Sequence, residues 1–575
     1  MRFLRRSTAA ALITIALAGC AAPTAPATTQ GSSQPQAQQP AQPKRMVASI
    51  LGNPFTLNTA INSATGATQP GVPEIEELVH AGMAIAGPEG LRPQLAEAVP
   101  SLDNGLWKLL ADGRMETTWK IKPNATWHDG TPFTSADLAF TYQVVNDPDM
   151  TSFRSRTYDS IESVQTPDPR TVVVTWKRPF ISADAMFSMT STPVLGIPLP
   201  KHLLERPFAS DKAAFIDLPY WSDDFVGTGP FKLSRWERDS FMVLAANDAY
   251  VLGRPKLDEI EIRFNPDPNN EMAAVLAGAV EVTLGRGLTV EQAAEVRDQW
   301  SSGKLLTGPA RWAVIYPQLL TPDPAVVGNV EFRRALLHAI DRKAMADTFE
   351  RGVSSVADSF LDPNQAQYRE IEERNVVHYP YDTRRADQLI VGVGYAKGAD
   401  GTFRDAIGQK LTVELRTADL GANEKWMLAV TDYWQRVGVG ADPLLIPRQR
   451  FGDNEWRWTF PSFEITKRGH DVKGLPNLHS SQTPLPENRF LGNNVSRYMS
   501  PEFDTLLDKF SSTIPRAERT QVLGQIIHRI SDELINMGLF YDPEPALISN
   551  RLINVGPIPT LDSTQAWNAV EWDVR

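Results

Sequence analysis

The chain has 575 residues, of which 42% are apolar, 22% charged and 9% aromatic; these are ordinary globular proportions and exclude a disordered or collagen-like chain. At roughly 100–200 residues per domain the length suits three or four domain-sized units, each able to bury a core. A net charge of −11 has the wrong sign for a general nucleic-acid binder, and the single cysteine, Cys20, excludes an intrachain disulfide, a CxxC redox pair and a thiolate zinc cluster.

Residues 1–20 open with Met-Arg-Phe-Leu-Arg-Arg, continue through a short apolar run and end on small residues before Cys20, the pattern of a secretory signal. The apolar run is shorter than the roughly 20 residues needed to span a bilayer. Leu17-Ala18-Gly19-Cys20 also resembles the lipobox of bacterial lipoproteins, which implies cleavage before Cys20 and lipidation of its thiol. Residues 21–43 are almost all Ala, Pro, Thr, Gln and Ser, with no aromatic residue and no charge, and read as a flexible tether. The expectation is a globular body on a lipid leash outside the membrane.

The body begins with the strand-like run Met46-Val47-Ala48-Ser49-Ile50-Leu51. Between 115 and 180, β-rich runs at 116–121 and 171–176 flank a helix with Thr134 as N-cap, Asp137 three residues on, and Pro148 as its stop. Strand-like runs at 257–264 and 410–415 each precede a helical pattern, as in an α/β layer. After Pro309 longer amphipathic helices dominate. Phe332, Leu336 and Ile340 share a face; Trp426, Val430, Tyr433, Trp434 and Val437 follow the 3.6 period; helices around Phe503–Phe510 and Val522–Leu534 complete the set. Their aromatic stripes read as core. Two mixed α/β lobes with a β-rich insertion in the first is the predicted architecture.

The chain carries no HExxH, GxSxG, Walker A or EF-hand pattern. Gly227-Thr228-Gly229-Pro230-Phe231 has two glycines of a dinucleotide loop, but Pro230 would break the helix such a loop opens, so it reads as a structural turn. No two of the eight histidines stand at i, i+3 or i+4 with a carboxylate in a zinc-like array, and His128-Asp129 sits on a turn with no nucleophile nearby in sequence. Neither an enzyme, nor a metal site, nor a cofactor is expected.

The order of motifs is more telling than any one of them. Leu95-Ala96-Glu97 is followed by Trp119-Lys120-Ile121-Lys122, then by Trp127-His128-Asp129-Gly130-Thr131-Pro132-Phe133-Thr134 and by Gly227-Thr228-Gly229-Pro230-Phe231 with Asn247 and Tyr250. Asn329-Val330-Glu331-Phe332-Arg333-Arg334-Ala335-Leu336, Ala339-Ile340-Asp341-Arg342, Tyr381-Asp382, Gly394-Tyr395 and Tyr498-Met499-Ser500-Pro501 come next. This series resembles, block by block and over nearly the whole mature chain, the family 5 extracellular solute-binding proteins of ABC importers, the group of oligopeptide-, dipeptide- and nickel-binding proteins.

The resemblance implies an α/β, periplasmic-binding-protein-like two-lobed fold of class II, the large type with three subdomains. The expected division is a signal peptide at 1–19, a lipidated tether at 20–45, lobe I at 46–92 and 226–306, an inserted lobe II at 93–225, lobe III at 307–538, and a return to lobe I at 539–575. Crossings between lobes are expected near 312–320 and 539–549, with a hinge that closes on ligand. It further implies a monomer at the extracytoplasmic side of a bacterial membrane that delivers a solute to ABC permease subunits. A peptide is the leading ligand; an oligosaccharide, a metal chelate, a non-transport sensor role and a secreted hydrolase are the alternatives. By position in the blocks, Asn53 and Phe55 fall on a cleft loop of the first lobe and Gln318 on a crossing strand. Peptide-binding relatives pair the peptide amine with an aspartate in a "W-x-A-D-Y-x-D-P" stretch, from which residues 458–471 depart. Glu464 or Asp471 would replace that aspartate, whereas Lys467 and Arg468 would suit an anionic ligand. Trp458 and Phe463 would supply apolar walls, and Tyr541 stands on the returning crossing.

Overall fold

The computed structural model describes residues 42–575 except 65–69, 154–155, 191–195, 310, 364, 372 and 419–421. Cys20 and the leader lie outside the described residues. Strand Arg45–Ile50 alternates buried Met46, Ala48 and Ile50, and pairs in parallel with Glu259–Phe264 on one side and Val282–Thr283 on the other. It stands near the centre of a seven-stranded sheet whose remaining strands are Phe231–Glu237, Phe241–Ala246, Gly303–Thr307 and Pro545–Ser549. A second sheet has five strands in the spatial order Gly440–Leu445, Thr412–Thr417, Phe463–Arg468, Arg311–Pro317 and Met537–Asp542. The helices of the second half pack on it: Trp434 of Asn423–Arg436 stacks near Phe463, and its indole N–H donates to the Leu336 carbonyl of Val330–His338 (3.1 Å).

A four-stranded antiparallel sheet, formed by Trp107–Leu109, Met115–Lys120, Thr171–Trp176 and Ile161–Asp168, makes a third unit around buried Trp119, Trp127 and Trp176. Helix Ser135–Asn146 covers it, its first turn fixed by the Asp137 carboxylate accepting from the Thr134 N–H at 2.8 Å. Two of the sequence blocks meet here. The His128 ring accepts from Gly227 N–H at Nδ1 (3.2 Å) and donates from Nε2 to the Gly229 carbonyl (3.1 Å), and burial pushes its pKa down to about 3. A Cβ on Gly227 would stand 2.0 Å from the Val79 carbonyl oxygen, so this turn is glycine because two backbones touch.

The chain passes between the two large sheets twice. Thr307 pairs with Pro545 in one sheet and Arg311 with Asp542 in the other, and the Gly308 N–H donates to the Glu544 carbonyl at 2.7 Å, so the passages run side by side. The first passage therefore lies between Thr307 and Arg311, ahead of the expected 312–320. Strand Met537–Asp542 belongs to the five-stranded sheet, and the return to the larger sheet begins after Asp542, not at 539. No sequence signal marks where one sheet ends, because Met537–Asp542 and Pro545–Ser549 are both buried almost throughout although they belong to different sheets.

Candidate functional site

A cavity of about 1830 Å³ opens between the two large sheets. One wall comes from the loop after Val282–Thr283 (Arg286, Gly287, Leu288) and from the start of helix Val72–Val79. The other comes from the end of strand Phe463–Arg468 and the start of helix Asn423–Arg436; Arg311, Asp542 and Glu544 of the two passages form its floor. Gly71, with φ +88°, brings the first helix onto the end of strand Arg45–Ile50; a Cβ there would meet Ile50 at 2.1 Å. Along Phe463–Arg468, Phe463 and Ile465 enter the helix-packed core, while Glu464 and, at the end of the strand, Thr466, Lys467 and Arg468 line the cavity.

Of the eight ligand residues expected from sequence, Glu464 and Asp471 line this cavity and the other six do not. Gln318 is 0% exposed; its amide N–H group donates to the Trp458 and Phe460 carbonyls and its Oε1 accepts from the Leu320 N–H, so it clamps a loop. Phe463 is core, with its ring centroid 5.1 Å from that of Trp434. The Tyr541 hydroxyl lies 2.9 Å from the carbonyls of both Ser359 and Leu361, in the core that packs with Trp312 and Val314 of the five-stranded sheet. Trp458 packs on the same core beneath the Arg457 guanidinium. Asn53 donates to Asp239 (2.7 Å), and Phe55, 43% exposed, lies outside the cavity lining. Gln318, Trp458, Phe463 and Tyr541 share polarity or aromaticity with ligand residues but are spent on loop closure and core.

The two retained carboxylates are themselves engaged. Glu464 accepts from Arg457 through both oxygens (3.0 and 3.3 Å) and lies 3.4 Å from Arg416 Nε. Arg416 is held beneath Trp456 and Phe460, with its pKa lowered chiefly by burial. Asp471 caps the 3₁₀ turn Val472–Leu478 by accepting from the Gly474 N–H at 3.0 Å, and burial raises its pKa. Deeper in the cavity, Lys467 pairs with Asp542, while burial and the neighbouring Asp542 push Glu350 up to about 9. Burial likewise raises Glu74, against the pull of Arg286. Sequence reasoning missed Arg286, Arg311, Glu350 and Glu544; nothing in their local pattern marks them, since only the fold gathers them. No cluster of His, Cys, Asp and Glu among the described residues could hold a metal ion, and no described helix is long and apolar enough to cross a membrane.

Comparison with known proteins agrees with this geometry. The family model "Bacterial extracellular solute-binding proteins, family 5 Middle" matches residues 91–467. The oligopeptide-binding protein AppA of Bacillus subtilis is 23% identical over 524 residues, covering 89% of each chain. Among solved structures, the oligopeptide-binding protein of Thermus thermophilus complexed with a pentapeptide superposes with a TM-score of 0.70 at 20% identity, covering 92% of this chain and 96% of that one. NikZ of Campylobacter jejuni in complex with Ni(L-His) gives 0.71 at 19% identity, covering 92% and 99%. These likenesses establish the two-lobed α/β fold, and the matched span carries the WHDG and GTGPF blocks that pack on each other. The chain belongs to the bacterial extracellular solute-binding proteins, family 5.

Proposed function

We propose that this chain captures a peptide between its two large lobes on the outer side of the membrane and delivers it, as a monomer, to the permease of an ABC importer. The observation that carries the reading is the cavity between the lobes. At about 1830 Å³ it exceeds the roughly 300–1,000 Å³ of typical small-molecule sites and has room for an extended chain of several residues. Its lining is rich in charged groups of both signs, as a zwitterionic ligand with polar backbone requires. The oligopeptide-binding relatives in sequence and structure favour the same ligand class. The two adjacent passages suit a hinge, so that ligand binding shifts the population toward a closed shape for the permease to recognise. No turnover is part of this role.

Mass spectrometry of small molecules released on denaturing the natively purified protein tests the reading. Recovery of peptides is the expected result; a single sugar or metal chelate would overturn it. Tethering is the companion proposal: Cys20 carries the lipid and residues 21–43 the leash, two or more acyl chains giving stable attachment where one would not. Cys20→Ala is expected to move the protein from the membrane fraction to the soluble one. Retention of the variant on membranes would remove the anchor.

A further inference from the structure

We propose that a second cavity, at the far end of the five-stranded sheet from the cleft, binds a small organic carboxylate, with its charged head on Arg497 and Arg333 and its apolar part on Leu320 and Met499. The cavity measures about 530 Å³, within the roughly 300–1,000 Å³ of small-molecule sites, and shares no lining residue with the cleft. Strand Arg311–Pro317 starts at the cleft with Arg311 and runs away from it, so Leu320 lies past its other end, where Ile315 pairs with Met537. Helix Arg516–Asp532 ends just before strand Met537–Asp542 and supplies the Asp532 and Glu533 wall; helix Val330–His338 supplies Arg333 and Arg334. The turn ahead of helix Pro501–Ser512 adds Arg497, Tyr498 and Met499.

The acids of this cavity are committed, and two of its guanidiniums are not. Asp532 pairs with Arg334 at 2.6 Å, and Glu533 pairs with Arg529 at 2.5 Å and accepts from the Tyr498 hydroxyl at 2.6 Å. Arg333 and Arg497 are each 4% exposed, and neither forms an ion pair with a described residue. Arg333 donates to the Val327 and Glu533 carbonyls, and burial pushes its pKa down to about 10 against the pull of the Glu533 charge. The Arg497 side chain donates once, to the Thr321 hydroxyl at 3.3 Å, and burial lowers its pKa. The Nε atoms of both are buried with no hydrogen-bond partner among the described residues. A guanidinium offers five donors in a planar fork that a carboxylate matches best, and shielding one from solvent without an anion is costly. Arg497 also takes φ +51°, a left-handed conformation that glycine adopts at least cost, so its guanidinium is held there against a backbone penalty. Beside this charge, Leu320 and Met499, 37% and 48% exposed, line the same cavity and offer an apolar wall that an inorganic anion would leave wet.

Methyl NMR on the full chain with carbon-13-labelled methionine tests the proposal, the Met499 signal being assigned from Met499→Leu. The probes are hexanoate, hexanamide and inorganic phosphate. Hexanoate is expected to shift the Met499 signal to saturation and to bind at least tenfold more tightly than hexanamide, which keeps the apolar part and loses the charge. Phosphate, which keeps the charge and loses the apolar part, is expected to bind at least tenfold more weakly than hexanoate. Arg497→Gly removes the guanidinium at a position whose φ suits glycine and should abolish the preference for hexanoate over hexanamide; Arg497→Lys should keep part of it. The comparison of probes on the unaltered chain needs no variant, so poor folding of either variant leaves the test intact. Equal affinity for hexanoate and hexanamide, phosphate binding as tightly as hexanoate, or a Met499 signal that no probe moves would each overturn the proposal. Peptide capture stands in every case, since the two cavities share no residue.

Discussion

Arg416 and Glu464 are each 2% exposed and lie 3.4 Å apart, with Arg457 closing the group on the cavity side. Removing the carboxylate's charge would strand a guanidinium that solvent cannot reach, and breaking one side of a buried pair costs about 3–5 kcal/mol. Glu464→Gln is therefore expected to lower the stability of the chain by about 3 kcal/mol, read from the midpoint of urea unfolding. A variant that unfolds at the wild-type midpoint yet binds the ligand at least tenfold more weakly would return Glu464 to the role of a ligand partner. The sequence could show that this acid stands where relatives place an aspartate. It could not show that Arg416, on a neighbouring strand 48 residues earlier, and Arg457 had already claimed it. Gln318 makes the same point in polar form, since an amide on a passage strand serves a ligand or a loop equally well until its partners are known.

Helix Val72–Val79 carries Glu74, Glu76 and Glu77, all buried, beside the cavity. Burial pushes Glu76 up to about 7 and Glu77 up to about 8, with the hydrogen bond from Thr564 holding Glu77 back. A carboxyl whose folded pKa exceeds its unfolded value of about 4.5 keeps its proton in the folded state while the unfolded chain has lost it. Stability therefore falls as pH rises through that window. His80, lowered to about 4 by burial, contributes with the opposite sign, but only below its unfolded value of 6.5. Between pH 6.5 and 8 the carboxyl slope acts without it. Glu77→Gln is expected to flatten the loss of stability over this range and to exceed wild type at pH 8, by roughly 1.4 kcal/mol for each pH unit of slope removed. Parallel curves for the two proteins in thermal unfolding from pH 6.5 to 8 would show that Glu77 does not titrate there. Elements of this kind were legible in the sequence where one face is apolar and the other wet, as in Asn423–Arg436. Strand Phe463–Arg468 was not, because Glu464, Thr466, Lys467 and Arg468 face a polar cavity and imitate a loop.

At the scale of the molecule, the order of sequence blocks pointed to the family because blocks distant in sequence must fit one another, as His128 does against the Gly227–Gly229 turn. The cleft chemistry lacked such a signal, since its residues are gathered from both lobes and owe each other no spacing. The same gathering sets how the lobes are held. Glu291 on helix Val290–Arg297 of one lobe accepts from Lys425 (2.9 Å) and lies 3.5 Å from Arg351, both of the other lobe, and Lys473 reaches Asp562 at 2.9 Å. The Glu291 pairs are exposed at the rim, where such a pair is worth up to about 1 kcal/mol and is screened by salt. They can bias closure but cannot drive it, which leaves the driving force to the ligand. Glu291→Gln is thus expected to weaken ligand affinity by no more than about fivefold at low ionic strength, with the deficit vanishing at about 1 M salt, where the screening length is near 3 Å. Calorimetry at the two salt concentrations reads both. A loss well beyond tenfold that persists in high salt would make Glu291 part of the ligand contact and no longer a rim latch, and an unchanged affinity at low salt would show that closure does not draw on this pair.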